Sequence, residues 1–282
     1  MGKSINLAGQ TLPALGQGTW YMGEDPGQRR QEVAALQAGI DLGLRLIDTA
    51  EMYAEGGAEQ VVGEAIRGRR DRVFVVSKVY PWNAGGARGM AACEASLKRL
   101  GTDYIDLYLL HWSGDIPLEQ TLELMTGLQR QGKIGHWGVS NLDIDEMHEL
   151  WTLAGGEACA TDQVLYHLAS RGIETDLLPW CQEREIPVMA YCPLAQAGRQ
   201  RRGLMQHPLL VEEAQSLGIS VAQLLLAWVI RRPGVIAIPK SATLAHVRDN
   251  AAALEISLSD TLLERLDKAF PAPTCKTPLD IV

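Results

Sequence analysis

No run of this chain approaches the roughly 18 consecutive apolar residues that a membrane-crossing helix needs. Cysteine is sparse. Cys93, Cys159, Cys181, Cys192 and Cys275 are odd in number, and no close pair suggests a zinc site. Reduced packing thiols in a cytoplasmic protein are the plain reading. The first six residues, Met1 to Asn6, hold no apolar stretch of signal-peptide length. Surplus positive charge is also missing. Lysine and arginine number 26 against 34 aspartates and glutamates, a net charge of −8. That argues against a nucleic-acid or anionic-membrane partner, which would need a basic face. A dinucleotide fingerprint is incomplete: Gly16-Gln17-Gly18-Thr19-Trp20-Tyr21 lacks the third glycine, and no Rossmann half follows. Neither a linker nor a low-complexity segment interrupts residues 1–282, so a single domain is expected.

What is present is a regular alternation. Residues Ile5 to Leu15 read as a small hairpin turning at Ala8-Gly9-Gln10. Strand candidates then begin near Ala14, Leu44, Val73, Ile105, Ile134, Ala160, Pro187 and Val235. The first seven are about 25 to 32 residues apart, the length of a strand, a helix and two loops. Helical patterns lie between them. Val33, Leu36 and Ile40 share one face, Gln60 to Ile66 behaves similarly, and Leu118 to Gln131 is framed by Pro117 and Gly132. This predicts an α/β fold, a (β/α)8 TIM barrel with an N-terminal β-hairpin. The last interval is longer, about 48 residues, which implies an extended loop after strand 7. It contains Gly198-Arg199-Gln200-Arg201-Arg202-Gly203 and a helix near Pro208 to Leu217, on the face where barrels bind ligands.

Four apolar runs end in polar residues able to do chemistry. Leu44 to Asp48 leads into Thr49-Ala50-Glu51-Met52-Tyr53. Val73 to Val76 ends in Ser77-Lys78. Ile105 to Leu110 ends in His111, and His136 to Val139 in Ser140-Asn141. Neighbouring barrel strands lie about 4.8 Å apart, so side chains leaving their carboxyl ends meet. Asp48, Tyr53, Lys78 and His111 are expected to share one cleft. A tyrosine hydroxyl is a weak acid, with a pKa near 10. A neighbouring ammonium is expected to lower it, with Asp48 holding Lys78 charged and His111 orienting the substrate oxygen. That set suits a carbonyl becoming an alkoxide but supplies no reductant, so a hydride-carrying cofactor is implied. Without a Rossmann half, barrel loops would have to hold it. Ser140, Asn141 and Gln163 could grip a carboxamide, Tyr191 could stack on a nicotinamide ring, and Lys240 with Ser241 could meet a phosphate.

These segments resemble the aldo-keto reductases over nearly the whole chain. The motifs are Gly43 to Tyr53, Ser77-Lys78, Leu100 to Trp112, Gly138 to Asn141 and Ile238 to Ser241. The stretch Gly16 to Gly23 is most similar to bacterial members that reduce methylglyoxal and related small aldehydes. The resemblance implies Tyr53 as acid, Lys78 and Asp48 as its tuning pair and His111 as the orienting group. It implies that Gly18, Thr19 and Trp20 line the cofactor, that Leu194 offers backbone to the pyrophosphate, and that Lys240, Ser241 and Thr243 meet the 2′-phosphate of NADPH. Asn250 would meet the adenine, and Trp20, Trp82 and Trp112 would wall the substrate pocket. No metal is implied, and a small carbonyl compound is the expected partner.

Three departures follow from the same comparison. His246 stands where the family usually has an arginine, so NADPH preference should be modest and NADH use possible. Cys192 replaces a usual serine. The tail after Phe270 has twelve residues, which predicts a more open pocket, and a monomer is compatible with the acidic composition. Two other readings fit parts of the pattern. One is an NADP(H)-binding redox sensor or regulatory subunit on the same fold. The other is a phosphate-binding barrel isomerase or lyase, which leaves Asp48, Tyr53 and Lys78 without a joint role.

Overall fold

The computed structural model describes residues 2–282. Its first element is the hairpin, β1 (Ser4–Leu7) and β2 (Gln10–Pro13), paired antiparallel. Ala8 and Gly9 both have positive φ, +52° and +75°. Two such residues give a turn whose twist matches that of the flanking strands. Leu7 and Leu12 are fully buried, and the Arg45 guanidinium, just ahead of the next long strand, donates to the Thr11 carbonyl. The hairpin therefore covers the amino ends of the main strands.

Those strands are β3 (Gln17–Gly18), β4 (Leu46–Asp48), β5 (Phe74–Val79), β6 (Ile105–Leu110), β7 (Ile134–Ser140), β8 (Asp162–Leu165), β9 (Val188–Tyr191) and β10 (Val235–Ala237). All pair parallel and in chain order. Parallel bridges from Leu15 to Ala237 and from Gly18 to Lys240 join the first strand to the last. The sheet is thus curled onto itself, consistent with the expected (β/α)8 arrangement. Gly18 sits at that seam, where an added Cβ would lie 2.6 Å from the Ile238 carbonyl oxygen. Gly16 is equally constrained, against Leu46 at 2.7 Å. The two glycines of the incomplete fingerprint are close-packing residues at the closure. Every residue of β5 and β6 is buried, as parallel strands covered on both faces require.

The helices are α1 (Arg29–Asp41), α2 (Gly57–Ile66), α3 (Gly86–Leu100), α4 (Leu118–Arg130), α5 (Ile144–Thr152) and α6 (Leu177–Glu183). Between β9 and β10 come α7 (Arg199–Met205), α8 (Pro208–Leu217) and α9 (Val221–Val229), so the long interval is built of three helices. After β10 follow α10 (Leu244–Ala252) and α11 (Asp260–Ala269). Among the described residues no single helix is long and apolar enough to cross a membrane.

Candidate active site

Asp48 is the last residue of β4, Lys78 lies one residue before the end of β5, and His111 directly follows β6. Tyr53 opens a short 3₁₀ turn after β4 in which Ala54 and Glu55 take φ of +51° and +52°. That reversal turns the chain back over the strand ends. The Lys78 Nζ donates to both Asp48 carboxylate oxygens (2.8 and 2.9 Å), to the Thr49 carbonyl (2.9 Å) and to the Tyr53 hydroxyl oxygen (3.1 Å). Three ammonium hydrogens serve four acceptors, so the lysine is held rigidly. It is 0% exposed and Asp48 is 2%. A charge so deeply buried persists only when it is paired in this way. Because the tyrosine oxygen accepts from lysine, its own hydrogen is left for another acceptor. The ring of His111 meets that of Tyr53 edge-on at 5.8 Å. The structure brings all four expected residues together.

The electrostatics differ from expectation in one respect. Lys78 was expected to lower the tyrosine pKa. In the structure, burial raises the Tyr53 hydroxyl well above its usual value, and the Asp48 carboxylate pushes the same way. The ammonium, although 3.1 Å away, does not outweigh these effects. Burial also lowers Lys78, against the pull of Asp48. His111 falls well below its usual value through burial and then the charge of Lys78. In the free protein the tyrosine and the histidine are both neutral near pH 7.

Above this group opens a cavity of about 520 Å³. Its lining includes Tyr53, His111 and Asp48 at the floor. It also includes Gly18, Thr19, Trp20, Ser140, Asn141, Gln163, Tyr191, Leu194 and Lys240 from the expected cofactor set, and Trp112. Lys78 lies behind this surface. The polar shelf is internally bonded. Ser140 donates to the Gln163 carbonyl (2.8 Å), and the Tyr191 hydroxyl donates to the Asn141 Oδ1 (2.8 Å). The Asn141 amide donates to the His111 carbonyl (3.2 Å), from a left-handed backbone at φ +59° that asparagine tolerates. The Gln163 Nε2 donates to the Asp48 Oδ1 (2.7 Å), and the Thr19 hydroxyl to the Asp48 carbonyl (2.9 Å).

Other expectations fall elsewhere. Ser241, Thr243, His246 and Asn250 are outside this cavity, at the start and on one side of α10. Thr243 caps that helix by accepting from the His246 N–H, and the Asn250 amide donates to the Ser241 hydroxyl (2.8 Å). Asn250 is 6% exposed, so it braces Ser241. Trp82 does not line the cavity. A 3₁₀ turn over Pro81–Asn83 carries it outward, where it is 52% exposed and stacks on Tyr80 at 4.3 Å. It reaches the site only through an edge contact with Trp112 at 5.8 Å.

The short tail reaches this site. Ile281 and Val282 line the cavity. Lys276 bridges Asp143 (2.8 Å) and Asp176 (3.2 Å), and Ser170 donates to the Asp280 carboxylate. Asp143 and Asp176 are the N-caps of α5 and α6, so the tail is pinned where two helices begin beside the cleft. Arg201 of α7 also lines the cavity. The basic run after strand 7 had marked this region, though not this residue. Nothing in the last residues of the chain announced that they return to the site.

Residues 14–270 match the model of the aldo/keto reductase family. The chain is 65% identical over 281 residues to the methylglyoxal reductase YeaE of Escherichia coli, covering 99% of both proteins. It is 31% identical over 316 aligned positions to the NADH-specific methylglyoxal reductase of the same organism, covering 92% of this chain and 96% of that one. A crystal structure of an aldo/keto reductase from Klebsiella pneumoniae in complex with NADP and acetate superposes over all of both chains with a TM-score of 0.98 at 64% identity. A lysine-braced tyrosine on strand-end loops and this match in sequence and shape agree: the chain belongs to the aldo/keto reductase family.

Proposed function

We propose that this chain, as one barrel domain spanning 1–282, reduces small aldehydes and 2-oxoaldehydes of the methylglyoxal class, with NADPH as its preferred reductant. The observation that carries the reading is the Lys78 ammonium, locked to Asp48 and placed 3.1 Å from the Tyr53 hydroxyl at the floor of the cavity. The similar E. coli methylglyoxal reductase supports the substrate class, and the similar Klebsiella aldo/keto reductase, crystallised with NADP, supports the cofactor.

The residues fit a nicotinamide dinucleotide. Ser140, Asn141 and Gln163 present hydroxyl and amide groups for a carboxamide, and Tyr191 supplies an aromatic wall. Lys240 and Arg201 bring two cations to the same cavity for phosphate charge. When bound, the dihydronicotinamide supplies a hydride to the carbonyl carbon. The chain's own part is the proton. Burial keeps the Tyr53 hydroxyl protonated, and its hydrogen is left for a substrate oxygen because its lone pair already accepts from Lys78. As the carbonyl π bond opens, the oxygen becomes an alkoxide, a far stronger base than phenolate, and takes the Tyr53 proton. The phenolate left behind keeps the Lys78 ammonium within hydrogen-bond distance, so a donor stands where charge develops. His111, neutral, is free to place the carbonyl oxygen by hydrogen bonding.

The test is aldehyde-dependent oxidation of NADPH, measured with methylglyoxal and a panel of small carbonyls, with NADH alongside. Many turnovers per protein are expected. Binding of NADPH without turnover would instead favour a redox-sensing role, and carbonyl chemistry without added nicotinamide would favour the isomerase or lyase reading.

A further inference from the structure

We infer that Gln163 is a positioning residue of the proton relay: from the far side of the barrel its amide holds the Asp48 carboxylate that orients Lys78. The inference rests on the reductase reading above and adds a link between the cofactor shelf and the acid.

β4 and β8 are four places apart in a ring of eight, so they face each other across its axis. Asp48 at the end of one and Gln163 in the other meet over that axis, with Nε2 and Oδ1 2.7 Å apart. In a barrel, alternate strands contribute side chains to one interior layer, which apolar residues usually fill. Here the uppermost layer holds a buried amide–carboxylate contact. Gln163 is 1% exposed, so its orientation is not set by solvent. The amide has no choice of direction, because Oε1 turned toward a carboxylate would set lone pairs against a negative charge. Nε2 is committed to Asp48, and Oε1 is the atom left to accept from an N–H donor in the cavity.

Among the described residues, Asp48 accepts side-chain hydrogen bonds from two, Lys78 and Gln163. Lys78 alone would leave the carboxylate free to pivot about its ion pair. The amide, pulling from the opposite wall, fixes it. Whatever engages Oε1 from the cavity also steadies the amide, and through it Asp48, Lys78 and the Tyr53 contact. The titratable groups facing this point are Lys78 on β5, Tyr53 on its turn, His111 after β6, and Tyr191 and Cys192 at the end of β9. Glu59 on α2 lies behind Lys78, where its charge acts on the ammonium.

The test compares wild type with Gln163→Glu and Gln163→Leu. Cofactor affinity is measured by fluorescence titration, and the chemical step by single-turnover NADPH oxidation at saturating cofactor between pH 5 and 9. Gln163→Glu keeps size and shape. Protonated, a glutamic acid donates to Asp48 as the amide does. Two carboxylates sharing a site raise one pKa, so the variant should be near wild type at the acid end and lose rate through a new ionisation as pH rises. Gln163→Leu should slow the chemical step by about tenfold or more at every pH, in line with the loss of one hydrogen bond to a charged group. If both Gln163 variants weaken the cofactor yet superimpose on the wild-type profile at saturation, Gln163 holds cofactor only and the inference is wrong. A wild-type protein inactive toward every aldehyde would instead sink the reductase reading, a separate result visible in the same assay.

Discussion

Lys78 is the residue through which the reactive groups act on one another, and its burial makes it costly to disturb. Removing one member of a buried ion pair leaves the other charged and unpaired, which costs about 3–5 kcal/mol in stability. Lys78→Met should therefore lower the melting temperature markedly, and what folds should lose at least 10²-fold in turnover, since the phenolate has lost its neighbouring charge. A variant with full activity and an unchanged pH profile would make Lys78 a bystander. A second buried carboxyl lies next to Gln163. Asp162 is fully buried, among the described residues neither of its carboxylate oxygens is hydrogen-bonded to a side chain, and burial raises its pKa well above the usual value. The folded state therefore holds a proton that the unfolded chain releases above its ordinary pKa near 3.8. The sign is definite: this group costs stability as pH rises from there toward its folded pKa. Asp162→Asn should raise stability at pH 7, by roughly 1–3 kcal/mol, and leave it nearly unchanged near pH 3.5. His167 slopes the other way. Burial depresses its pKa to about 4, so stability should fall as acid protonates the unfolded histidine between its ordinary 6.5 and that value. Melting temperatures across pH, for wild type and Asp162→Asn, measure both slopes.

Elements were legible where apolar runs were continuous. The reading from Ile105 and Ile134 matched the observed starts of β6 and β7: β6 is buried throughout and reads as a largely apolar run, whereas β7 opens with Ile134, exposes Gly135 and His136, and is buried from Trp137 on. The start near Ala14 was early, since Ala14 to Gly16 bridge to the last strand before regular pairing begins at Gln17. The four reactive residues were legible because each ends or follows such a run. Trp82 was not, because its outward turn depends on Pro81 and on stacking with Tyr80, not on any strand period. α10 offers a test of cofactor choice at the scale of one element. It begins at Thr243 after Lys240 and Ser241, and His246 is exposed in its first turn. An imidazole there lacks the permanent charge and forked donors of a guanidinium, so the preference for NADPH over NADH should be modest. His246→Arg should tighten NADPH by about tenfold and leave NADH nearly unchanged, with the gain shrinking in salt. Equal tightening of both cofactors, by fluorescence titration, would mean that position 246 does not meet the phosphate.

Across the whole molecule, the cleft is completed by parts far apart in the chain. The seam between β3 and β10 brings Gly18 against Lys240, the interval after β9 supplies Arg201, and the tail returns to place Ile281 and Val282 on the wall. The tail's role was illegible because it rests on Lys276 finding two helix caps, Asp176 and Asp143, far back in the sequence. Exposed ion pairs are individually weak, so this clasp should loosen readily. Lys276→Ala should change global stability by less than about 1 kcal/mol. It should raise KM for methylglyoxal and improve turnover of bulkier aldehydes relative to small ones. High salt should move the wild-type protein the same way. An unchanged carbonyl selectivity would show that the tail is packing only.

The central claim is that the Tyr53 hydroxyl, braced by Lys78, delivers the proton. Tyr53→Phe removes that hydroxyl and keeps the ring. Single-turnover NADPH oxidation with methylglyoxal, at cofactor saturation confirmed by titration, tests it most directly. The account predicts cofactor affinity close to wild type and a chemical step slowed by roughly 10²- to 10⁴-fold. A variant that binds cofactor normally and retains more than about half the wild-type rate of the chemical step would contradict it.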